Sequence, residues 1–256
     1  MRIAFGVEYD GSSYVGWQKQ NNGVSVQEHV ETAIAKVANH PIEVICAGRT
    51  DRGVHAFGQV IHADAQVERT TRGWVLGTNT HLPKDISILW AQAVDDDFHA
   101  RFSAQARHYR YIISNRLSRP ALHTKKVAWE YRPLNIEPMQ QAAKFLIGKH
   151  DFTAYRTVAC QARSPVRTII YLNVSQQHDR IYLDISADGF LHHMVRNIAG
   201  VLLDIGSGNK PPEWAKQVLD SQDRRQASVT APAGGLYFYK VDYPEPYQFP
   251  QPVLMY

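Results

Sequence analysis

Hydrophobic and polar positions in the first hundred residues switch between the two-residue period of strands and the longer period of amphipathic helices. Ser25 and Glu28 form a capping box in front of the clearest helical stripe, which comprises Val26, Val30, Ala33, Ile34 and Val37. The pattern predicts, in chain order, a strand over Arg2–Glu8, a helix over Val26–Ala38, strands over Ile42–Cys46 and Gly58–Ala63, a helix over about Thr71–Thr80 and a strand over Ile86–Ala93.

The second part of the chain repeats this order of elements without a visible repeat of residues. The pattern predicts a strand over His108–Ser114, a helix over Pro138–Leu146, strands over Arg167–Val174 and Arg180–Ser186, a helix over Leu191–Ile205 and a strand over Leu236–Asp242. Each half therefore reads β-α-β-β-α-β, the ferredoxin-like order, which predicts an α+β fold. We expect two domains, residues 1–97 and 98–256, with a hinge at Val94–Asp97.

Three long loops are predicted, over Gly11–Val24, Arg116–Asn135 and Ile147–Ser164, and the proline-rich tail from Pro244 to Tyr256 is expected to run extended over the surface. A hydrophobic fraction of 44% favours a folded protein over a disordered one. Two cysteines are too few for a disulfide framework. The absence of a long apolar run or a signal-peptide core predicts a cytoplasmic protein with no membrane partner.

Basic residues are unevenly distributed within the net charge of +4. The stretch from Phe98 to Trp129 has no Asp or Glu and carries a charge of +7, so the rest of the chain has a net charge of −3. Its basic residues are Arg101, Arg107, Arg110, Arg116, Arg119, Lys125 and Lys126. A second acid-free stretch, Phe152–His178, adds Arg156, Arg163 and Arg167. Interleaved aromatics such as Phe102 and Tyr109 are typical of an RNA surface. A solvated basic face with core tyrosines would give the same pattern.

The octapeptide Arg49–Ala56, entered through Ala47–Gly48, carries the most specific chemical signal. Asp51 lies between Arg49 and Arg52 in a glycine-bracketed turn, and nearby positive charges favour an ionised carboxylate. The two arginines also offer forks that suit phosphate oxygens. An ionised carboxylate in such a loop could act as a nucleophile on a nucleic acid, whereas an Asx-turn paired with its neighbours is the structural alternative.

The full string Ala47–Ala56 resembles the active-site signature of the tRNA pseudouridine synthase A family. Other segments resemble the same family in the same order, so that the resemblance runs nearly end to end: Val7–Gly11, Gly16–Gln18, Ser25–Gln27, Leu82–Pro83, Asp97–Ala104, Arg107–Tyr111, His192–Asn197 and Gly235–Tyr237. The resemblance implies a pseudouridine synthase fold, in which two ferredoxin-like halves form one mostly antiparallel sheet with a central catalytic cleft.

The resemblance also implies roles for individual residues. Asp51 would be the nucleophile, attacking either ribose C1′ or uracil C6. Tyr109 would stack on the target base, and Leu236 would form an apolar wall against the uracil. Arg196 would pair with the catalytic carboxylate, and Arg49 would bind phosphate or fill the gap left by a flipped nucleotide. Further RNA contacts are expected from Arg52, Arg107, Arg110 and Arg163.

The pattern by itself leaves several of these roles open. Strand alternation places Tyr109 and Tyr111 on the same sheet face. Arg196 falls nearly opposite the apolar stripe of its predicted helix, where a solvated arginine is equally expected. Leu236 could be an ordinary core residue of its strand.

Two other functional classes compete with an isomerase. A nucleoside or RNA hydrolase would need a second carboxylate, for which Asp10 and Asp188 are available. A non-catalytic RNA-binding protein would need a stacking platform, and Arg107–Tyr111 lacks the glycines usual there.

Pseudouridine and uridine are isomers, so no cofactor or metal is expected. The chain has no P-loop, no dinucleotide-binding glycine motif and no zinc spacing. His192 and His193 are not expected to bind a metal, because adjacent residues on a helix point about 100° apart. The resemblance implies tRNA as the partner, with uridines 38 to 40 of the anticodon arm as the targets, and a homodimeric enzyme.

Overall fold

A computed structural model describes residues 1–253. Its helices and strands are, in chain order, β1 (Arg2–Tyr9), α1 (Val26–Ala38), β2 (Ile45–Cys46), β3 (His55–Asp64), α2 (Thr71–His81), β4 (Ile86–Val94), β5 (Ala106–Asn115), β6 (Ala128–Glu130), α3 (Ile136–Lys144), β7 (Gly148–Asp151), β8 (Val166–Gln177), β9 (Arg180–Ala187), α4 (Met194–Gly206), α5 (Trp214–Ser221) and β10 (Leu236–Asp242).

The chain divides into two compact units. The first comprises Met1–Gln105 together with the chain from Tyr237 onward, and the second comprises Ala106–Leu236. The division after Gln105 lies beyond the expected hinge at Val94–Asp97, and most of β10 is grouped with the first unit. The physical reason is pairing, because Tyr237 and Phe238 of β10 run parallel to the start of β3.

In the first unit the strand order is β4-β1-β3-β10, and β2 is added on β3. Strand β1 is antiparallel to both β3 and β4. Helices α1 and α2 contact each other, and α2 also contacts β4. Phe5 of β1 and Trp74 of α2 meet edge to face, with ring centroids 5.9 Å apart, so the helical layer is packed on the sheet.

In the second unit the strand order is β5-β9-β8-β7, with all three pairs antiparallel, and β6 is parallel to β5. Helix α3 contacts α4 and β8. The predicted α+β class with mostly antiparallel strands is therefore confirmed. Among the helices of residues 1–253, none is long and apolar enough to span a membrane.

Several predicted boundaries were wrong for identifiable reasons. The strand predicted from Ile42 pairs only over Ile45–Cys46, because the Val44 amide donates to Glu31 Oε1 on α1 at 3.1 Å instead of joining the sheet. Strands β6 and β7 lie inside segments predicted as loops, and α5 had no predicted counterpart. The helix predicted from Leu191 begins at Met194.

The tail from Pro244 to Val253 lies at the surface, with most of its residues exposed, but one residue fixes it to the first unit. Phe249 is 9% exposed and stacks on Trp90, with centroids 4.8 Å apart. It also meets Phe98 and Tyr243 edge to face, so an aromatic cluster fixes this part of the tail to the first unit. The last three predicted tail residues, 254–256, lie outside the described residues.

Candidate functional site

Asp51 is half-buried in the tight turn between β2 and β3. The Val54 amide donates to Asp51 O at 3.1 Å, and Gly53 takes a φ of 77°, a left-handed angle that favours glycine. The backbone of Asp51 also forms an antiparallel bridge with Gly16. The residue predicted to be the nucleophile is therefore held by its own turn and by a distant chain segment.

Gly16 and Trp17 connect the Asp51 turn to helix α1. The Trp17 amide donates to Thr50 O at 3.0 Å, and the side chain of Trp17 is buried. The carbonyls of Gly16 and Trp17 accept from the amides of Val26 and Gln27, at 3.2 and 2.9 Å. These orphan amides of the first helical turn need partners outside the helix. The helix start and the Asp51 turn thus share one anchor.

A second set of contacts fixes Gly48 and Thr50, the residues that lead into the turn. The hydroxyls of Tyr9 and Thr50 share a hydrogen bond of 2.7 Å. Gln59 of β3 donates to Gly48 O at 2.6 Å and accepts from Gly48 N at 3.4 Å. Burial raises the pKa of Tyr9 well above its ordinary value, so this hydroxyl stays neutral and acts as a hydrogen-bonding group.

His55 lies just after the turn, with its ring buried and stacked on Tyr237 at 4.7 Å. Its Nδ1 is 3.0 Å from Asp10 Oδ1 and 3.1 Å from the Gly11 amide, which donates to it. A Cβ on Gly11 would lie 1.9 Å from Val54 O, so only glycine permits this approach. The motif residues at the end of β1 therefore pack directly on the turn.

Arg49 and Arg52 are exposed at the turn. The positive charges of nearby arginines affect the pKa of the Cys46 thiol, at the end of β2. Burial raises the pKa of Cys46 to about 12, opposed first by the positive charge of Arg49 and more weakly by that of Arg101. Two guanidinium groups therefore lie near the strand that enters the Asp51 turn, where they could meet phosphate.

Tyr109 and Tyr111 both lie on β5, but they have different surroundings. Tyr111 is fully buried, and its hydroxyl donates to Pro232 O at 2.9 Å. Burial raises the pKa of Tyr111 far above its ordinary range. Tyr109 retains some exposure, at 8%, and meets Phe190 edge to face at 5.0 Å. Tyr111 is thus a core residue with its hydroxyl engaged, which favours Tyr109 as the base-stacking tyrosine.

Arg196, in the first turn of α4, is half-buried rather than fully solvated. Its Nε donates to Ala231 O at 2.8 Å, and Ala231 N donates to Arg196 O at 3.1 Å. This double contact ties the guanidinium to the segment before β10. Because Nε is directed at a carbonyl, the orientation of the planar guanidinium is constrained.

Asn197 holds the same segment from inside the second unit. Its side chain is fully buried, donates to Tyr155 O at 2.8 Å and accepts from the Thr230 hydroxyl at 2.7 Å. Arg224 Nη2 donates to both Asn197 Oδ1 and Thr230 Oγ1, at 3.1 and 3.0 Å. Asn197 was not singled out from the sequence, where its position in the motif His192–Asn197 was the only signal.

The remaining predicted residues have diverse surroundings. Arg110 is committed to a bidentate pair with Asp184, its cross-strand neighbour, at 2.7 and 2.9 Å, which favours a structural role. Arg107 Nη1 donates to Asp188 O at 2.9 Å. Arg163 is exposed. Leu236 is buried at the start of β10.

Comparison with known proteins decides the family. The family model described as "tRNA pseudouridine synthase" matches residues 6–103 and 142–244. Similar curated proteins named "tRNA pseudouridine synthase A" include one from Alcanivorax borkumensis, 53% identical over 97% of this chain and 94% of its own length. The chain belongs to the tRNA pseudouridine synthase family. It is therefore an enzyme of the isomerase class.

Two further tRNA pseudouridine synthase A relatives extend this agreement. The protein from Nitrosococcus oceani is 53% identical over 98% of this chain and 97% of its own length. The protein from Pseudomonas aeruginosa is 55% identical over 98% of this chain and 88% of its own length. A chain from the structure titled "Crystal Structure of a Cbf5-Nop10-Gar1 Complex" aligns at a TM-score of 0.37 and 12% identity, over 79% of this chain and 45% of its own.

Family membership removes the non-catalytic RNA-binding alternative. The two carboxylates considered for a hydrolase both accept hydrogen bonds from nearby groups. Asp10 Oδ1 accepts from the amide and hydroxyl of Ser12 at 3.1 and 2.6 Å. Asp188 Oδ1 accepts from the Thr168 amide at 3.0 Å. These contacts give each carboxylate a structural role.

The interpretation of His192 and His193 rested on a wrong helix boundary. In this tRNA pseudouridine synthase, α4 begins at Met194, and His193 is its N-cap residue with a φ of 62°. The two imidazoles precede the helix and lie 4.2 Å apart between centroids, at an angle of 55°. The argument from helical geometry therefore does not apply to this pair.

Proposed function

We propose that this protein converts uridine to pseudouridine at positions 38 to 40 of the tRNA anticodon arm, with Asp51 as the nucleophile. The observation that carries the proposal is the Asp51 turn of a family member, held by hydrogen bonds from Gly16–Trp17 and from Tyr9 and Gln59. A nucleophile needs such fixed support, because displacement by 1 Å can cost about 100-fold in rate.

The reaction breaks the bond between ribose C1′ and uracil N1 and forms a bond between C1′ and C5. The proton on C5 is removed and N1 gains one, so that substrate and product have the same composition. Asp51 attacks either C1′ or C6, and the adduct is resolved after the base has rotated. The target base must first leave the stack, which costs a few kcal/mol.

The second unit supplies the groups that receive the base in this proposal. Tyr109, which retains some exposure, stacks on the uracil, and Leu236 forms an apolar wall. Arg196 pairs with the catalytic carboxylate, and its constrained guanidinium supports such a role. Arg49, exposed beside Asp51, contacts phosphate or fills the space that the flipped nucleotide leaves.

Exposed basic residues, among them Arg52 and Arg163, bind phosphates of the tRNA outside the target nucleotide. Neutralising phosphates releases counterions, so affinity should fall steeply with salt. A flat response between low and moderate ionic strength would refute this part of the proposal. We also propose a homodimer, for which sedimentation of the purified protein is the direct test.

The decisive experiment uses a tRNA transcript with tritium at C5 of its uridines and no added cofactor. Forming the new C1′–C5 bond expels that hydrogen into water. We expect release with the native protein and none with Asp51→Asn. The matched control is Asp220→Asn, because Asp220 is an exposed carboxylate paired with Lys216 on α5.

The outcomes separate the possible chemistries. Free uracil without tritium release would indicate a hydrolase and refute the proposal. More than a few per cent of native activity in Asp51→Asn would refute the role of Asp51. Transcripts that retain uridine at only one of positions 38, 39 and 40 then test the target, and labelled product from other positions alone would contradict it.

A further inference from the structure

Phe102 in the first unit is unusually exposed for an aromatic side chain. Its relative exposure is 76%, compared with 58% for Tyr131 and 44% for Trp129. Phenylalanine is among the residue types most often fully buried, so an exposed ring held in place calls for a physical reason. The ring lies in the turn that follows Phe98 and leads to β5.

The ring is held by stacking. The imidazole of His99 stacks on Phe102, with centroids 4.3 Å apart and planes at 29°. Behind it, His62 of β3 meets His99 edge to face at 4.9 Å. His62 is itself buried in the sheet, so a chain of rings connects the exposed phenyl group to the core.

Backbone hydrogen bonds lock both imidazoles in this arrangement. His99 Nδ1 accepts from the amides of Arg101 and Phe102, both at 3.1 Å. His62 Nδ1 accepts from the Ala100 amide, also at 3.1 Å. A nitrogen that accepts carries no proton, so each neutral ring has its proton on Nε2. The turn is thus preorganised, and ordering it would cost little on binding.

Positive charge accompanies the exposed ring. The Arg101 guanidinium carbon lies 5.6 Å from the Phe102 centroid, within cation–π range. The Ala100 amide of this turn donates to His62, and His62 is the cross-strand partner of Ile45 on β2, so the turn lies on the same part of the first unit as the strand entering the Asp51 loop. No acidic residue occurs from Phe98 to Trp129.

We infer that the 98–103 turn is a binding site for one unpaired nucleotide of the RNA substrate, with the base stacked on Phe102 and its phosphate near Arg101. The inference rests on the proposed function for the identity of the RNA. An aromatic face beside a cation is the arrangement that binds unstacked bases independently of sequence. The turn contains none of the residues proposed to hold the target uridine, so the nucleotide bound here would be a different one.

The test compares Phe102→Leu with Phe102→Trp. Leucine keeps an apolar side chain without a π face, whereas tryptophan restores stacking. We expect Phe102→Leu to weaken tRNA binding and raise KM about 5- to 150-fold, the range given by the loss of one base–aromatic stack, with kcat changed less. Phe102→Trp should remain within about threefold of the native protein, on the same scale. Leu76→Ala, at an exposed site on α2, is the matched control.

Each outcome decides the inference. If Phe102→Leu binds tRNA as the native protein does, or if Phe102→Trp fails to restore binding, base stacking on Phe102 is wrong. If Phe102→Leu instead changes the mass of the protein in sedimentation, the ring contacts a second copy and the inference is overturned. Binding is measured by filter retention without turnover, so inactivity of the native enzyme would refute the proposed function while leaving this test intact.

Discussion

Gly16→Ala tests directly whether the bridge to Gly16 positions Asp51. A Cβ built on Gly16 lies 2.6 Å from Thr50 O and 3.1 Å from the carbonyl carbon of Asp51. Ordinary contact begins at 3.4 Å, so one of the two backbones must move by about 0.8 Å. The φ of 122° adds strain for any residue with a side chain.

The magnitude follows from these two effects. Backbone strain costs about 1–3 kcal/mol and overpacking a similar amount, so we expect a loss of roughly 2–6 kcal/mol in the free energy of unfolding. A domain stabilised by about 5–15 kcal/mol can survive this. Catalysis is more sensitive, because a displacement near 1 Å costs about 100-fold. We therefore expect kcat to fall about 30- to 100-fold in a folded protein.

Tritium release from C5-labelled tRNA measures kcat, and urea unfolding measures stability. Gly208→Ala is the matched control, since Gly208 also has a positive φ, 79°, but among the described residues no atom beyond its two chain neighbours lies within 4 Å of its added Cβ. Gly208→Ala should lower the free energy of unfolding by about 1–2 kcal/mol and leave kcat unchanged. Native kcat in a folded Gly16→Ala protein would refute the conclusion that this bridge positions Asp51.

Three further predictions concern stability. The pKa of His62 is lowered to about 4, chiefly by burial and further by positive charge, so the unfolded chain binds the proton more readily than the folded protein does. The contribution of neutral His62 to stability is therefore complete above pH 6.5 and is lost as the pH drops towards 4. His62→Asn should remove about 2 kcal/mol of this acid-induced loss in urea titrations. Asn197→Leu should lower the free energy of unfolding by about 2–4 kcal/mol in urea titrations, because its buried hydrogen bonds to Tyr155 and Thr230 are lost. Ser25→Ala removes the acceptor for the Glu28 amide, 3.2 Å away, and should cost about 1 kcal/mol in thermal unfolding without a large effect on KM.

The elements best predicted from the sequence are those defined by local physics. Helix α1 has its predicted ends because a capping serine precedes one continuous apolar stripe. Strand β10 also has its predicted ends. Beta strands β6 and β7 were missed, because three- and four-residue segments give too few alternations for a period to be visible.

Partners far apart in sequence account for the other differences. Strand β3 begins at His55 rather than Gly58, since His55 and Ala56 pair with β10, which a local pattern cannot reveal. Val44 satisfies its amide with a helix side chain instead of a strand neighbour. Strand alternation also cannot distinguish Tyr111 from Tyr109, because both lie on the same sheet face. Only the structure shows that the Tyr111 hydroxyl is hydrogen-bonded in the core.

The sequence by itself determined the family, the α+β class and the motif that contains Asp51, because these depend on residue identity and local periodicity. Tertiary structure decided how the motif is supported. The segments at Tyr9, Gly16 and Gln59 converge on the Asp51 turn through backbone and side-chain hydrogen bonds. Such contacts depend on chain positions brought together only by folding, and their geometry is set by packing rather than by any pattern along the chain.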